Sequence, residues 1–386
     1  MPTTMKETTE IISAWRKAQQ DGDDALLATV VQVSGSTYRR AGARMLLTPA
    51  GWMAGSVSGG CLESDILQKA WWRTRHGAPA LVTYDSTDED DIVWGFGLGC
   101  NGVVQVLLER LAPHARLNPL DFLARCLDNR MAGMVATIIK SASAHGAVLG
   151  QRLLLSETET ETNLGESSLI QDVLRDARAM LTERKSGTQT YAVADGHVDV
   201  AFECVLPPVP LVIFGAGHDA VPLVRLAKEL GWHVSVVDTH PVAPAPQRFP
   251  LADCVLSCTP ENIGESINLS ARTAAVVMTH SFPQDSVLLP LLLRSQVAYV
   301  GMLGPKKRTA RLLEQMAADS NPPAQDALTR LHGPIGLDIG ADTPEQIALS
   351  IVAEVQAALA GRAGGALRLR QAPIYDTGTA GELTHP

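Results

Sequence analysis

The sequence predicts an α/β protein of two domains, in which an N-terminal α/β domain with a mixed sheet precedes a C-terminal domain with a parallel sheet. The chain has 386 residues, more than one hydrophobic core usually organises. The stiff stretch "PPVP" at 207–210 lacks most backbone donors and marks a boundary. After it, apolar strands alternate with helices, as a parallel sheet with crossover helices requires. We therefore expect domains at 1–206 and 207–386.

The N-terminal domain is predicted to consist of a core over 1–112 and an extension over 113–206. In the core, helical spacing of apolar residues predicts helices, and short apolar runs predict strands. The core elements expected in chain order are a helix over 7–20, a strand over 25–33, two strands separated by glycine turns, a helix from Cys61 to Gly77, and strands over 79–85 and 101–111. The extension has a weaker pattern, with strands near 133–141 and 151–157, a helix over 169–187 and a hairpin that turns at Asp195-Gly196. No long internal repeat is apparent in these residues.

The C-terminal pattern opens with "VIFGAGHDA", in which Gly215, Gly217 and Ala220 form a G-x-G-x-x-A motif between a strand and a helix. Asp238 ends the next strand, about 20 residues further on, where a carboxylate would accept a hydrogen bond from a ribose hydroxyl. This combination predicts a Rossmann-like domain. The carboxyl ends of its strands should form a ligand crevice, and the residues expected there are Gly215, Gly217, His218, Ala220, Asp238, His280, Gly301 and Gly304.

Composition limits the classes of partner and location. The net charge is −9 and no basic stripe is present, so a nucleic-acid partner is not expected. The N-terminus has no basic segment followed by an apolar one, and no apolar run approaches the roughly 18 residues that a membrane span needs. We expect a cytoplasmic protein without membrane contact. The six cysteines include no C-x-x-C pair, which favours free thiols over disulfides or structural zinc.

Two cysteines stand in glycine-rich turns of the N-terminal core. Cys61 follows Ser58, Gly59 and Gly60, at the predicted start of a helix, where the positive helix end favours a thiolate. Open glycine backbone would also offer N–H groups to an anion. The other cysteine, Cys100, follows Gly99 in "GLGCNG". A thiolate in such a loop can bind a soft metal, carry a persulfide sulfur or attack a carbon.

Arginines accompany the first of these loops. Arg40 and Arg44 lie in "TYRRAGARM" beside a glycine, which suits phosphate binding as well as it suits a solvated turn.

Several long motifs resemble one family. The stretches "SGSTYRRAGARML", "GSVSGGCLESD" and "GLGCNG" resemble the N-terminal domain of XdhC/CoxI proteins. Those beginning "VIFGAGHDAVPL", "MTHSFPQD", "YVGMLGPKKR" and "GPIGLDIGADTPEQIALSI" resemble their C-terminal Rossmann domain. The resemblance covers about 1–112 and 205–360. One departure is "GPKKR", where arginines would be expected and where lysine cannot supply the same two-pronged phosphate contact.

The resemblance implies an accessory chaperone that binds the molybdenum cofactor, supports its sulfuration with a cysteine desulfurase and inserts it into an apo molybdenum hydroxylase of the xanthine dehydrogenase type. Carried over to this sequence, Cys100 first and Cys61 second become the molybdenum ligand or sulfur carrier, and Arg40 and Arg44 the candidates for the pterin phosphate. The cofactor could be the mono- or dinucleotide form of molybdopterin. A homodimer is also implied.

Two alternatives remain open at this stage. The Rossmann-like crevice could bind NAD(P) or another nucleotide, and the protein would then be an NAD(P)-dependent oxidoreductase with His280 or Cys61 as the acid–base group. The protein could also be a docking protein whose two sites are vestigial. Turnover of NAD(H) with an organic substrate would identify the oxidoreductase, whereas restored activity of a molybdenum apoenzyme would identify the chaperone.

Overall fold

The computed structural model describes residues 5–86, 102–112, 117–142, 147–238, 246–259, 262–319 and 322–371. They fall into two compact units, of which the first runs to Pro207 and the second begins at Pro208. Within the described ranges, no helix is both long and apolar enough to cross a membrane.

The first unit begins with a five-stranded antiparallel sheet in the order β3-β2-β1-β5-β4. Its elements are α1 (Met5–Asp21), β1 (Ala25–Gly35), β2 (Arg44–Thr48), β3 (Gly51–Gly55), α2 (Glu63–Arg73), β4 (Ala80–Asp85) and β5 (Gly102–Leu111). The apolar face of α1, formed by Ile11, Ile12, Trp15 and Ala18, is fully buried. The structure begins α2 at Glu63, two residues after the predicted start at Cys61, so Cys61 belongs to the preceding loop.

A second antiparallel sheet follows in the same unit, in the order β8-β7-β6-β10-β9. Its elements are α3 (Pro119–Asp128), β6 (Gly133–Ser141), β7 (Arg152–Ser156), β8 (Thr160–Thr162), α4 (Ser167–Glu183), β9 (Gly187–Val193) and β10 (Gly196–Val205). Counted from its own first strand, this sheet has the same strand order as the first. The two sheets therefore share a strand order, although the sequence itself shows no long internal repeat.

The second unit contains a six-stranded parallel sheet in the order β13-β12-β11-β14-β15-β16. Its elements are β11 (Pro210–Phe214), α5 (Ala220–Glu229), β12 (His233–Asp238), β13 (Cys254–Ser257), α6 (Ile263–Ser266), β14 (Ala274–Val277), α7 (Phe282–Arg294), β15 (Tyr299–Met302), α8 (Lys306–Ala318), α9 (Gln325–Leu328), β16 (Leu331–His332) and α10 (Pro344–Leu359). Strand order reverses between β11 and β14, so the ligand crevice of a doubly wound sheet lies at the ends of these two strands.

Separate hydrophobic cores cover the two faces of the parallel sheet. Helices α5 and α10 pack on one face, and α7 and α8 pack on the other. The strands are consequently buried on both sides and read as continuous apolar runs, which is why the sequence predicts them well.

The predicted α/β class and the Rossmann-like second domain are confirmed. One detail differs, because every described strand pair of the first unit is antiparallel and neither of its sheets is mixed.

Candidate functional site

A buried carboxylate organises the loop between β3 and α2. Glu63, the first residue of α2, is 3% exposed. One of its oxygens, Oε1, accepts hydrogen bonds from Ser56 Oγ at 2.9 Å, Val57 N at 3.1 Å and Ser58 N at 2.7 Å. The other, Oε2, accepts from Gly60 N at 3.0 Å and from the Ser58 hydroxyl. Five donors from the loop thus converge on one side chain.

These contacts decide which backbone groups of the loop remain available. Burial raises the pKa of Glu63, but the hydrogen bonds from Ser58 and Ser56 lower it by more, so its net pKa lies below the ordinary value. The carboxylate is therefore ionised at neutral pH, and its hydrogen bonds occupy the N–H groups of Ser58 and Gly60. The N–H groups of Gly59 and Cys61, by contrast, make no hydrogen bond with any described residue. Only this part of the glycine loop could serve an incoming anion.

The exposed thiol of Cys61 lies in a cleft of about 210 Å³, which we call the thiol cleft. Four segments of the first unit contribute to its lining, which consists of Thr37, Tyr38, Arg39, Val57, Ser58, Gly59, Cys61, Leu62, Tyr84, Ser86, Gly102 and Val104. A Cβ atom at Gly59 would lie 3.5 Å from the Tyr38 ring, so the glycine keeps the space between loop and ring open. The structure therefore brings the predicted residues Ser58, Gly59 and Cys61 together.

One side of the thiol cleft is held from α1. Glu7 forms an ion pair with Arg39 and accepts a hydrogen bond from Ser56 N at 3.0 Å. Ser86 and Gly102 also line the cleft and bond to each other, since the Ser86 hydroxyl donates to Gly102 O at 2.7 Å and accepts from Gly102 N at 3.1 Å. The predicted site residues Gly99 and Cys100 lie outside the described residues, and their role stays a prediction.

Arg44 is placed elsewhere. It is 2% exposed and forms an ion pair with Glu203, in which Nη1 lies 2.8 Å from Oε1, and Nη1 also donates to Gly42 O at 2.8 Å. A small cavity of about 30 Å³ adjoins this pair, away from the thiol cleft. Because its charge is already neutralised in the interior, Arg44 is unavailable to a phosphate, and that prediction is corrected. Arg40 does not line the thiol cleft either, and its role stays a prediction.

In the second unit, the first glycine of the G-x-G-x-x-A motif allows the tight turn after β11. Gly215 has φ +122°, and a Cβ atom there would overlap Met278 O and lie 3.1 Å from Thr279 N. Only glycine permits this backbone beside the end of β14. Ala220 is buried at the start of α5, His218 is exposed, and Asp238 ends β12 as expected.

The second glycine is covered by a side chain of its own motif. A Cβ atom at Gly217 would lie 2.5 Å from Asp219 Oδ1, and Asp219 Oδ2 lies 2.7 Å from His280 Nε2. His280 itself is exposed and adopts φ +56°. The carboxylate of Asp219 thus occupies the space that the second glycine clears for a pyrophosphate in a dinucleotide site.

The remaining predicted crevice residues have packing roles. Gly301 lies in buried strand β15, where a Cβ atom would overlap Ile335. The expectation that Gly301 lines an open crevice is therefore wrong. Gly304 has φ +131° in the turn before α8. Below this turn, Arg308 Nη2 lies 2.7 Å from Oδ2 of Asp285, whose carboxylate is buried and ties α7 to α8. Gly304 and Arg308 thus shape the turn between β15 and α8.

No metal cluster is formed by the residues that the structure describes, since nowhere in those ranges do three or more His, Cys, Asp or Glu side chains converge. The exposed thiol of Cys61 offers one soft ligand to a metal whose remaining ligands come with it. Glu63 was missed by sequence reasoning. Its signal was an acid just behind a Ser-Gly-Gly turn at a helix start, a position shared by ordinary first-turn acids.

Two family models match the chain. Residues 18–85 match the XdhC and CoxI family, and residues 211–355 match the XdhC Rossmann domain.

Relatives and a solved structure agree with these matches. A Bacillus subtilis protein described as a probable xanthine dehydrogenase subunit is 35% identical over 336 residues, which cover 87% of this chain and 93% of that protein. The molybdenum cofactor insertion chaperone PaoD of Escherichia coli is 22% identical over 88% of this chain and 85% of its own length. A crystal structure described as a xanthine dehydrogenase from Bacillus halodurans is 29% identical and superposes with a TM-score of 0.72, covering 91% of this chain and 96% of that one.

Proposed function

The chain belongs to the XdhC and CoxI family, and we propose that it is an accessory protein for a molybdenum hydroxylase of the xanthine dehydrogenase type. In this proposal it binds the molybdenum cofactor as cargo, supports its sulfuration with a cysteine desulfurase and delivers it to the apoenzyme. The names of the B. subtilis and E. coli relatives support the accessory role. A cytoplasmic location and a homodimer are part of the proposal and rest on the sequence-based expectations.

The observation that carries the proposal is the exposed thiol of Cys61 in a cleft whose loop is fixed by Glu63. A thiolate is a soft ligand, which suits molybdenum already bound by the dithiolene sulfurs of its pterin. The N–H groups of Gly59 and Cys61, which bond to none of the described residues, are suited to an anionic cargo. The ring of Tyr38 and the side chain of Val104 provide apolar walls against which a flat pterin could pack.

The same thiol could receive sulfur. Its thiolate would attack the outer sulfur of a persulfide on the desulfurase, form a new S–S bond and release the desulfurase cysteine as a thiolate. The product, a persulfide on Cys61, holds the sulfur that the molybdenum centre needs, and Cys100 could be loaded by the same step. Arg40 remains the candidate for the pterin phosphate.

The oxidoreductase alternative is weaker on the geometry. A dinucleotide places its pyrophosphate over the second glycine of the motif, and here the Asp219 carboxylate lies over Gly217. A nucleotide could enter only if this side chain moved. We therefore keep NAD(P) or the nucleotide half of a dinucleotide cofactor as a secondary ligand of the second unit.

The test is binding of molybdenum cofactor under anaerobic conditions, with metal and pterin content measured after removal of free cofactor. Wild type, Cys61→Ala and Cys100→Ala are compared, and Cys126→Ala serves as a matched control because Cys126 is a buried thiol of α3. We expect stoichiometric binding by wild type and the control, and loss in at least one of the other two variants. Absence of binding by wild type would overturn the proposal.

A second experiment separates the two function classes. The cofactor-loaded protein should restore activity to a molybdenum apoenzyme, and the protein alone should show no NAD(H) turnover with organic substrates. Steady turnover that depends on His280 would instead favour the oxidoreductase.

A further inference from the structure

The two sheets of the first unit agree in fine detail, beyond their strand order. In the first, the pairing of β1 with β5 steps past Val31, and in the second the pairing of β6 with β10 steps past Ile139. These two bulged residues pack together with Leu107 and Ala201, which occupy equivalent positions of β5 and β10. The contact between the sheets is therefore made from matching parts of both, as in a two-fold symmetric dimer.

Two buried ion pairs repeat this symmetry. Arg44 opens β2 and pairs with Glu203, the eighth residue of β10. Arg152 opens β7 and pairs with Glu109, the eighth residue of β5. Each arginine also donates to the carbonyl of a glycine two residues before it, at 2.8 Å in one sheet and 3.1 Å in the other. The arginine of each sheet thus reaches the glutamate of the other.

The helices before each sheet end alike. After α1, Gly22 has φ +74° and Asp23 N donates to Ala18 O at 2.9 Å. After α3, Arg130 has φ +52° and Met131 N donates to Cys126 O at 2.8 Å. Both helices therefore finish in the same left-handed cap and lead into the first strand at the same distance.

The helices inside each repeat can then be aligned by burial. Leu62, Ile66 and Ala70 are buried at intervals of four residues, and Leu169, Val173 and Ala177 are buried at the same intervals. A buried apolar residue stands five positions before each series, Val57 in one and Leu164 in the other. The fifth residue of the following strand is a tyrosine in both copies and donates to a helix aspartate, Tyr84 to Asp65 at 2.9 Å and Tyr191 to Asp176 at 2.7 Å, although Asp176 lies one turn beyond the position opposite Asp65.

This alignment places Cys61 opposite Ser168, Gly60 opposite Ser167 and Glu63 opposite Ile170. The repeats differ here in backbone form. In the second repeat α4 already begins at Ser167, whereas in the first α2 begins only at Glu63. The first repeat therefore lacks one helical turn, and the residues that would form it make up the loop of Cys61.

Two features keep this turn unwound. Gly60 adopts φ +114°, which a helix does not allow. The Glu63 carboxylate accepts from the N–H groups of Val57, Ser58 and Gly60, and so gathers the loop around itself. In the second repeat an apolar residue, Ile170, stands at this position and the helix continues through it.

We infer that the first unit is a tandem duplication of one helix-and-sheet module, and that Glu63 is the positioning residue that converts a helical turn of the first copy into the thiol loop. This deepens the proposed function and rests on it, since the cargo of the thiol cleft is taken to be the molybdenum cofactor. The second copy shows the module without the site, so it provides the reference state inside the same chain. Glu63 sets the geometry of this loop through the hydrogen bonds that its carboxylate accepts.

The first experiment transplants the second copy's residues into the first. The variant Ser58→Gly/Gly59→Glu/Gly60→Ser/Cys61→Ser/Glu63→Ile gives the first copy the residues found at 165–170. We expect α2 to gain about one turn, seen as increased helical circular dichroism, with a thermal midpoint equal to or above that of wild type. A fall in the midpoint, or no gain in helix, would overturn the equivalence of the copies.

The second experiment isolates Glu63. Glutamine at 63 keeps one acceptor oxygen but places an amide NH₂ near its other donors, and isoleucine removes all acceptors. We expect amide hydrogen exchange of Val57, Ser58 and Gly60 to speed up in the order wild type, Glu63→Gln, Glu63→Ile. Cofactor affinity should fall by roughly tenfold in Glu63→Gln, as the loss of one charge-assisted hydrogen bond predicts.

Asp176→Asn is the matched control, because it removes a helix carboxylate bonded to a strand tyrosine in the copy without a thiol. It should leave loop exchange and cofactor affinity at wild-type values. Unchanged exchange in Glu63→Ile would refute the positioning role. If wild type binds no cofactor, the proposed function fails, yet the exchange and transplant results still decide this inference.

Discussion

Replacing Arg44 separates a structural cation from a phosphate ligand. Arg44→Ala would leave Glu203, whose side chain is only 18% exposed, without a counter-charge in the interior of the first unit. Breaking a buried ion pair costs about 3–5 kcal/mol, and the partial access of water to Glu203 favours the lower end, about 3 kcal/mol. For a unit of this size, that loss lowers the unfolding midpoint by roughly 6–12 °C. Cofactor binding should not change, because Arg44 does not line the thiol cleft.

The assay is thermal unfolding followed by circular dichroism, combined with the cofactor-binding measurement. Arg44→Met/Glu203→Met should recover most of the lost stability, since an apolar pair of similar volume can replace a buried ion pair at little cost. Arg152→Ala, which breaks the equivalent pair with Glu109, should cost a similar amount. The reasoning is refuted if Arg44→Ala has the melting temperature of wild type but no longer binds the cofactor, since the arginine would then bind the phosphate.

Three further predictions concern pH, thiol reactivity and packing. The pKa of Glu63 is lowered in the folded state, so the ionised carboxylate stabilises the protein fully above the ordinary pKa of 4.5. This stabilisation is lost as the pH falls through the lower folded-state pKa. The melting temperature of wild type should therefore drop more steeply below pH 4.5 than that of Glu63→Gln. Burial raises the pKa of the Cys126 thiol to about 12, so native alkylation at pH 8, mapped by mass spectrometry, should modify Cys61 and spare Cys126, and equal rates would contradict this. Gly301→Ala should destabilise the second unit by about 1–3 kcal/mol through overlap with a packed isoleucine, whereas Gly264→Ala, which meets no atom within 4 Å, should melt like wild type.

The fold of the second unit could be predicted from sequence because the signals of its strands and turns lie in short stretches of the chain. Strands buried on both faces read as apolar runs, and Gly215 marks the turn that joins the first of them to its helix. The direction of strand pairing in the first unit could not be read in this way. Periodicity shows which residues are buried, but it does not show which strand lies beside which.

The internal duplication escaped detection for a related reason. Equivalent positions share burial and backbone form while their side chains differ, as with Trp15 and Leu123 in the first helices or Leu107 and Ala201 between the sheets. A core accepts such exchanges as long as the total volume is kept. Comparison of residue identities therefore fails where comparison of burial and register succeeds.

The thiol loop can be predicted because a cysteine directly behind two glycines is an unusual pattern, and the structure brings Ser58, Gly59 and Cys61 into one cleft. Arg44 was misassigned because its partner lies 159 residues away in the chain. Without knowledge of Glu203, an arginine beside a glycine turn has the same appearance as an anion ligand. Long-range ion pairs of this kind become visible only when the sheets have been packed.

The glycine motif of the second unit predicts the backbone turn correctly but does not by itself predict the ligand. Its first glycine is explained by the backbone alone, because Gly215 must pass close to the end of β14 whatever the ligand. A bound pyrophosphate would also need the space above Gly217, and there the carboxylate of Asp219 lies 2.7 Å from His280 Nε2. A carboxylate repels the pyrophosphate that the pattern predicts. The motif thus accounts for the Rossmann fold, while the cofactor chemistry that we propose lies at the thiol of Cys61, on the loop whose N–H groups are bound by Glu63.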